Sequence, residues 1–241
     1  VNRPYTLIAT LTVLVAPTLV SAAEPAAEPK AAPDYSSRIL TPPPPATPRI
    51  NGAKVYGQRP GRPFLYTIPA TGERPMTFAA DKLPEGLTVD ANSGRITGAA
   101  PKAGEYAVTL RATNSKGSAE KPLKIVIGDS ITLTPPMGWN SWNCWAGAVD
   151  QDKVLRSARA MAKFGLVDHG WTYINIDDTW QGKRDPQTKA LQGNQKFPDM
   201  KKLCDEIHAL GLKPGIYSTP WITSYARHPG GSADNAEGTW E

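Results

Sequence analysis

Tyr173-Ile174-Asn175-Ile176-Asp177-Asp178-Thr179-Trp180 decides the fold of the C-terminal half of this 241-residue chain. A short apolar run passes straight into two adjacent carboxylates, as a buried strand does when it ends at a polar mouth. Upstream, Val154, Leu155, Ala158, Met161 and Ala162 recur at helical spacing between Asp150, a candidate N-cap, and Gly165, a candidate stop. Before that helix, Met137-Gly138-Trp139 is short and apolar. Downstream, a polar loop runs to Pro198. Met200, Leu203, Ile207 and Leu210 then mark a second helix stopped by Gly211, and Lys213 to Tyr217 gives a further strand. The order strand, helix, strand, helix, strand predicts a parallel sheet with right-handed crossovers. Pattern alone allows an open doubly wound sheet or a closed barrel. No GxGxxG or phosphate loop follows the first strand, which disfavours the nucleotide-binding form of the open sheet.

Asp177 and Asp178 stand at the strand's C-terminal end, where parallel α/β folds bind ligands. Ionised carboxylates only accept hydrogen bonds, and burying them unpaired is costly, so sugar hydroxyls are fitting partners. An N-cap with a surface salt bridge is the structural alternative, and position alone leaves the two even. Trp139, Trp142 and Trp145 gather at the same mouth, and aromatic faces suit the apolar faces of sugar rings. Trp139, at the strand end, is the candidate ligand wall; Trp142 and Trp145 read as core aromatics under a loop. Tyr217 and Trp221 are further candidate pocket walls. His169, in a turn, and His208, on a helix, read as structural. No cluster of ligating side chains calls for a metal, and no cofactor is expected.

Residues 50–128 carry a different signature. Turn signals recur at Asn51-Gly52, Thr71-Gly72, Glu85-Gly86, Ser93-Gly94, Ala103-Gly104 and Lys116-Gly117, with short strand-like runs between them. Tyr106, Val108, Leu110 and Ala112 alternate with Thr109, Arg111 and Thr113, and Leu123, Ile125 and Ile127 repeat the pattern. Period-two alternation between frequent turns predicts a β-sandwich over 49–129. Residues 24–48, rich in Ala, Pro and Glu and containing Pro42-Pro43-Pro44-Pro45, read as an extended linker. Residues 1–23 read as a signal peptide: Arg3, an apolar run from Leu7 to Val20, then Ser21-Ala22-Ala23. That run is too short, and Pro17 too disruptive, for stable membrane insertion, so a secreted or periplasmic protein is expected. The net charge of +5 is scattered with no basic block, a solvated surface rather than a nucleic-acid footprint. Cys144 and Cys204 are too few for a disulfide framework. A bond between them is open to an exported protein, and two buried free thiols is the preferred reading.

Three motifs then meet a family. Pro135-Pro136-Met137-Gly138-Trp139-Asn140-Ser141-Trp142, the Tyr173–Trp180 stretch and Gly211-Leu212-Lys213-Pro214-Gly215-Ile216-Tyr217-Ser218 resemble, in order and spacing, the first three strand motifs of the α-galactosidases of glycoside hydrolase family 27. Phe197-Pro198-Asp199-Met200 between them is similar too. The resemblance spans about Thr134 to Glu241. It implies that residues 130–241 are the first three β/α units of a (β/α)8 barrel, with a pocket at the strand C-termini for an α-galactoside. It implies that Trp139 lines that pocket, Asp177 and Asp178 hold galactose hydroxyls, and Tyr217 stands at the edge. A retaining glycosidase needs two carboxylates about 5–5.5 Å apart across the scissile bond. Neighbours on one strand cannot flank a bond. The resemblance places both catalytic aspartates beyond Glu241, so the 241-residue chain is expected to be inactive. Sister specificities on the same scaffold (α-N-acetylgalactosaminidase, β-L-arabinopyranosidase, isomalto-dextranase) and a non-catalytic sugar-binding or adhesion protein are the alternatives. Leu83-Pro84-Glu85-Gly86-Leu87-Thr88-Val89, Ser93-Gly94-Arg95-Ile96-Thr97-Gly98 and Ala103-Gly104-Glu105-Tyr106 resemble the Ig-like (cadherin-like) repeats of exported bacterial enzymes. That implies a fold and a spacer or attachment role.

Overall fold

The computed structural model describes residues 36–38 and 42–232. The expected signal peptide and most of the linker lie outside them. Ser36–Arg38 form a 3-10 turn in an N-terminal unit that ends at Pro42. The elements that follow belong to the unit that begins at Pro43. No described helix is long and apolar enough to cross a membrane.

The first half of that unit is all β. Its strands are β1 (Arg49–Ile50), β2 (Val55–Gln58), β3 (Phe64–Thr67), β4 (Ala70–Thr71), β5 (Thr77–Asp81), β6 (Leu87–Val89), β7 (Arg95–Gly98), β8 (Gly104–Asn114) and β9 (Gly117–Ile127). One sheet has the order β2-β9-β8-β5 and another β3-β7-β6, while β1 pairs with β4. The alternation seen in the sequence sets the faces. Val108, Leu110 and Ala112 of β8 and Leu123, Ile125 and Ile127 of β9 are buried against Phe64, Phe78 and Ile96. Each of the larger of these side chains contributes roughly 1.5–3 kcal/mol by leaving water. The β8–β9 hairpin closes where the Asn114 side chain accepts from Lys116 N at 2.8 Å, fixing the turn locally.

The second half begins with β10 (Gly138–Asn140), which leads to α1 (Trp142–Trp145) and α2 (Gln151–Lys163). It continues through β11 (Tyr173–Ile176), β12 (Gln181–Arg184), β13 (Leu191–Gly193), α3 (Met200–Ala209) and β14 (Lys213–Ile216). Strands β10, β11 and β14 form one parallel sheet in that order. Asp150 caps α2 by accepting from Lys153 N at 2.8 Å, and Gly165, at φ 73°, ends it. Asp199 caps α3 in the same way through Lys202 N at 2.9 Å. Val154, Ala158, Leu203 and Ile207 press the helices onto Ile174 and Ile176.

Two expectations change. The stretch read as a polar loop to Pro198 contains an antiparallel hairpin, β12–β13. Its strands lack apolar alternation. Asp185 makes the turn instead, accepting from Gln187 N, Thr188 N and the Thr188 hydroxyl at 3.0, 2.7 and 2.9 Å. The two cysteines are free, but Cys144 is exposed on the short α1 and Cys204 half-buried on α3, so neither is a fully buried thiol.

The β module sits at the N-terminal ends of the parallel strands. Asn51 Nδ2 donates to Asp168 O at 2.9 Å, Arg74 pairs with the Asp168 carboxylate at 2.8 Å, and Thr67 Oγ1 donates to Gly211 O at 2.9 Å. Lys213, the first residue of β14, lays its ammonium 4.0 Å from the ring centre of Tyr56, 5.1 Å from Tyr173 and 5.7 Å from Tyr66. Lys213 is half-buried, with its ammonium against three aromatic rings. Burial pushes the lysine from 10.5 down to about 8, and pushes the Tyr66 phenol from 10.0 up to about 12.

The two shifts act in opposite directions on stability. Between about pH 8 and the ordinary lysine value, unfolding takes up a proton at Lys213, so stability rises with pH across that window. Above the ordinary tyrosine value, unfolding releases a proton that folded Tyr66 keeps, so stability falls toward pH 12. With respect to these groups the protein is therefore expected to gain stability from about pH 8 and to be most stable near pH 10. Urea midpoints across that range check this: the rise from pH 8 to 10 disappears in Lys213→Met and remains in a surface lysine control, Lys201→Met.

Candidate functional site

The mouth is built where β10 and β11 end. Ser141, fully buried, continues the ladder by donating its N–H to Asn175 O at 3.1 Å, and its hydroxyl accepts from Asp177 N at 2.9 Å. Asn140 Nδ2 donates to Asp177 Oδ2 at 2.8 Å, and Asn140 Oδ1 accepts from Trp142 N at 2.9 Å. One asparagine thus ties the first carboxylate to the start of α1 and places Trp142. Asp177 Oδ1 also accepts from Asp178 N at 2.8 Å. Asp177 stays half-buried with lone pairs to spare, since an ionised carboxylate has about four acceptor sites.

Asp178 is different. It is 3 % exposed, and its carboxylate accepts from Thr179 N at 2.7 Å and from Ala226 N at 2.9 Å. Burial alone would raise its pKa. The Ser224 hydroxyl and the backbone N–H groups of Ala226 and Thr179 outweigh that and hold it below the usual carboxylate range. Asp178 therefore pins the 219–231 loop to the end of β11. Gln181 is buried close by, and its side chain also helps hold the Asp178 carboxylate low.

Thr179 sits at φ 76°, a conformation a β-branched residue rarely adopts. Asn194 Nδ2 donates to its carbonyl at 2.8 Å and Lys196 Nζ to its hydroxyl at 2.9 Å. The segment after the hairpin thus holds the kink that follows the two aspartates. Backbone held in a sparse region by surrounding side chains is characteristic of functional sites. Trp180 is buried and its indole donates to Tyr217 O at 2.9 Å, while Tyr217 N donates to Ile176 O at 2.8 Å. Burial, and after it the negative charges of Asp178 and Asp177, raise the Tyr217 phenol above its ordinary value, leaving it a donor at neutral pH.

A cavity of 230 Å³ opens at this mouth, lined by Trp142, Asp177, Asp178, Tyr217 and Tyr225. Three of the four residues expected from the sequence are in its wall. The fourth, Trp139, is half-buried and packs against the core of the parallel unit. Trp142 and Trp145, expected in the core, are 40 % and 37 % exposed, because the single turn of α1 carries them over the strand end rather than beneath it. Trp221 packs edge-on against Tyr225, ring centres 5.9 Å apart, and both are exposed beside the cavity. Tyr225 escaped the sequence reading because its loop reaches the mouth through long-range bonds such as Ala226 N to Asp178 and Arg184 to Gly231 O. Trp142 carried a signal, since it lies inside the quoted strand motif. Among the described residues, no three His, Cys, Asp or Glu side chains are placed to share a metal ion.

Carboxylates, an aromatic side chain and a phenol converge at the strand ends of a parallel α/β unit, an arrangement suited to a polyhydroxylated ligand. Comparison with known proteins shows what each half of the chain is similar to. Residues 134–238 match the family described as "Alpha galactosidase A", and residues 47–128 match the "Putative Ig domain" family. Residues 47–128 are thus similar to Ig-like domains and residues 134–238 to α-galactosidases. It is 44 % identical over 103 residues to alpha-galactosidase A of Cellvibrio japonicus, covering 42 % of this chain and 26 % of that one. It is 39 % identical over 115 residues to a "Probable alpha-galactosidase" of Dictyostelium discoideum, covering 47 % of this chain and 29 % of that one. A crystal structure of a "putative alpha-galactosidase" from Bacteroides fragilis superposes with a TM-score of 0.73 at 42 % identity, covering 80 % of this chain and 42 % of that one. The chain spans under half the length of each.

Proposed function

We propose that this chain is the front part of a retaining exo-α-galactosidase, and that β10, β11 and β14 with their helices are the first three units of its (β/α)8 barrel. The observation that carries the proposal is the mouth cavity, where Asp177, Tyr217 and the face of Trp142 converge within a segment about 40 % identical to α-galactosidases. In this reading Asp177 accepts hydrogen bonds from galactose hydroxyls and Trp142 stacks on the ring. Tyr217 donates from the edge. Asp178 serves the site chiefly by holding, through Ala226 N, the loop that closes over the sugar. Trp139 supports the site from beneath.

The carboxylates lining the cavity are Asp177 and Asp178, neighbours in the chain, which cannot stand on opposite sides of a glycosidic bond. Nucleophile and acid/base are therefore proposed to come from later strands of a longer protein. The test compares two proteins on 4-nitrophenyl α-D-galactoside: the 241-residue chain, and a chain that continues to the length of the Cellvibrio relative. No turnover by the first and turnover with retained anomeric configuration by the second is the expected pattern. Turnover by the 241-residue chain, or inversion by the longer one, would refute the proposal.

A further inference from the structure

The largest chemically distinctive cavity bordering the Ig-like domain lies at the opposite end of the parallel sheet from the mouth. It measures about 340 Å³, within the roughly 300–1,000 Å³ of small-molecule sites, and opens between the Ig-like domain and the strand starts. Tyr56, Tyr66 and Pro69 line it from one side, and Pro135, Met137, Tyr173 and Lys213 from the other. A second space of about 250 Å³ shares Tyr56, Tyr173 and Lys213 with it.

Two polar groups in these walls have no partner. The Tyr66 hydroxyl is buried without a hydrogen bond, on a residue only 6 % exposed. The Lys213 ammonium makes ring contacts alone among the described residues, with neither an ion pair nor an acceptor. A buried ammonium without a counter-charge is costly unless an anion or π faces compensate it. No Asp or Glu lines either cavity. A second cation stands behind the wall at Gly52. Lys121 Nζ donates to the Gly52 carbonyl at 2.6 Å, and the charges of Lys54 and Arg49 are close enough to depress its pKa, after burial as the main cause. Three tyrosines, two prolines and Met137 make much of the remaining surface apolar, with Thr67, Thr134, Thr172 and His169 between them.

We propose that this cavity binds a small aromatic carboxylate, its carboxylate on the Lys213 ammonium and its ring against Tyr56, Tyr66 and Tyr173. The flat body matches the walls by stacking. The carboxylate gives Lys213, and Tyr66 behind it, the acceptor each lacks. Because the walls come from both domains, an occupant would also clamp the Ig-like domain to the base of the parallel sheet. The site shares no residue with the mouth.

The test is calorimetric titration of the whole chain at pH 7 with benzoate, and with benzamide as its neutral isostere. Benzoate is expected to bind at one site at least about tenfold tighter than benzamide, the size of one charge-assisted hydrogen bond. Lys213→Met is expected to erase that difference. Ala53→Phe leaves Lys213 in place, fills the cavity from the Ig-like wall and is expected to abolish binding of both compounds, so the outcome does not depend on how well Lys213→Met folds. Benzoate binding no tighter than benzamide, or benzoate binding unchanged in Ala53→Phe, overturns the proposal.

Discussion

Asp178→Ala is expected to lose galactose binding entirely and to cost about 2–4 kcal/mol of stability. Removing the carboxylate strands two backbone N–H groups, of Thr179 and Ala226, and the Ser224 hydroxyl. A buried donor left without its acceptor costs roughly 1–3 kcal/mol, and part of that is recovered because Ala226 keeps some exposure to water. Freed from β11, the 219–231 loop no longer brings Tyr225 to the cavity, so the site fails through geometry as well as lost acceptors. Asp178→Asn keeps one acceptor oxygen but turns an amide NH2, itself a donor, toward one of the two N–H groups, and is expected to fall between. Urea unfolding and proteolysis of the loop read the structural part. The pH dependence reads the ionisation. A carboxyl held below its unfolded value stabilises fully above that value and loses its contribution as pH falls through the folded one. The gap between the native chain and Asp178→Ala should therefore shrink in acid.

Gly138→Ala is expected to be as damaging, from a change of one methyl group. A Cβ at Gly138 would overlap the Tyr173 carbonyl, which is backbone and cannot rotate aside. Gly138 opposes Tyr173 in the β10–β11 ladder, so the added atom must push the first strand away from the second. Overpacking costs roughly 1–3 kcal/mol where side chains can yield, and a clash with backbone belongs at or above about 3 kcal/mol. The displacement also moves Asn140 and Ser141, which hold Asp177 at 2.8 and 2.9 Å. Circular dichroism should show the Ig-like signal intact while helical signal and sugar binding fall, since the core of the β module is formed by its own strands. A melting temperature within a degree or two of the native chain would show that β10 is not held this closely.

Much of this was legible from residue pattern because the controlling forces are local or periodic. Val108, Leu110 and Ala112 face inward because strand side chains alternate, and Asp150 and Gly165 bound α2 because helix ends need an acceptor and a left-handed residue. The order of strands and helices gave the parallel sheet. The hairpin at Gln181–Gly193 was not legible, since its register rests on Asp185 and on Asn194 rather than on apolar alternation. Nor was the exchange of roles between Trp139 and Trp142, which depends on how α1 leaves the strand. Asp178 was recognised as a mouth residue, but its loop-anchoring task rests on a hydrogen bond 48 positions along the chain. The domain contacts at Asp168 and Lys213 are longer in range still.

The most direct test of the mouth as a galactose site is titration of the 241-residue chain with galactose and with glucose, followed by amide NMR shifts. The expected result is saturable shifts for galactose, centred on Asp177, Trp142 and Tyr217 and absent in Asp177→Ala, with glucose giving none. Shifts of equal size with both sugars, or galactose shifts that survive in Asp177→Ala, would contradict it.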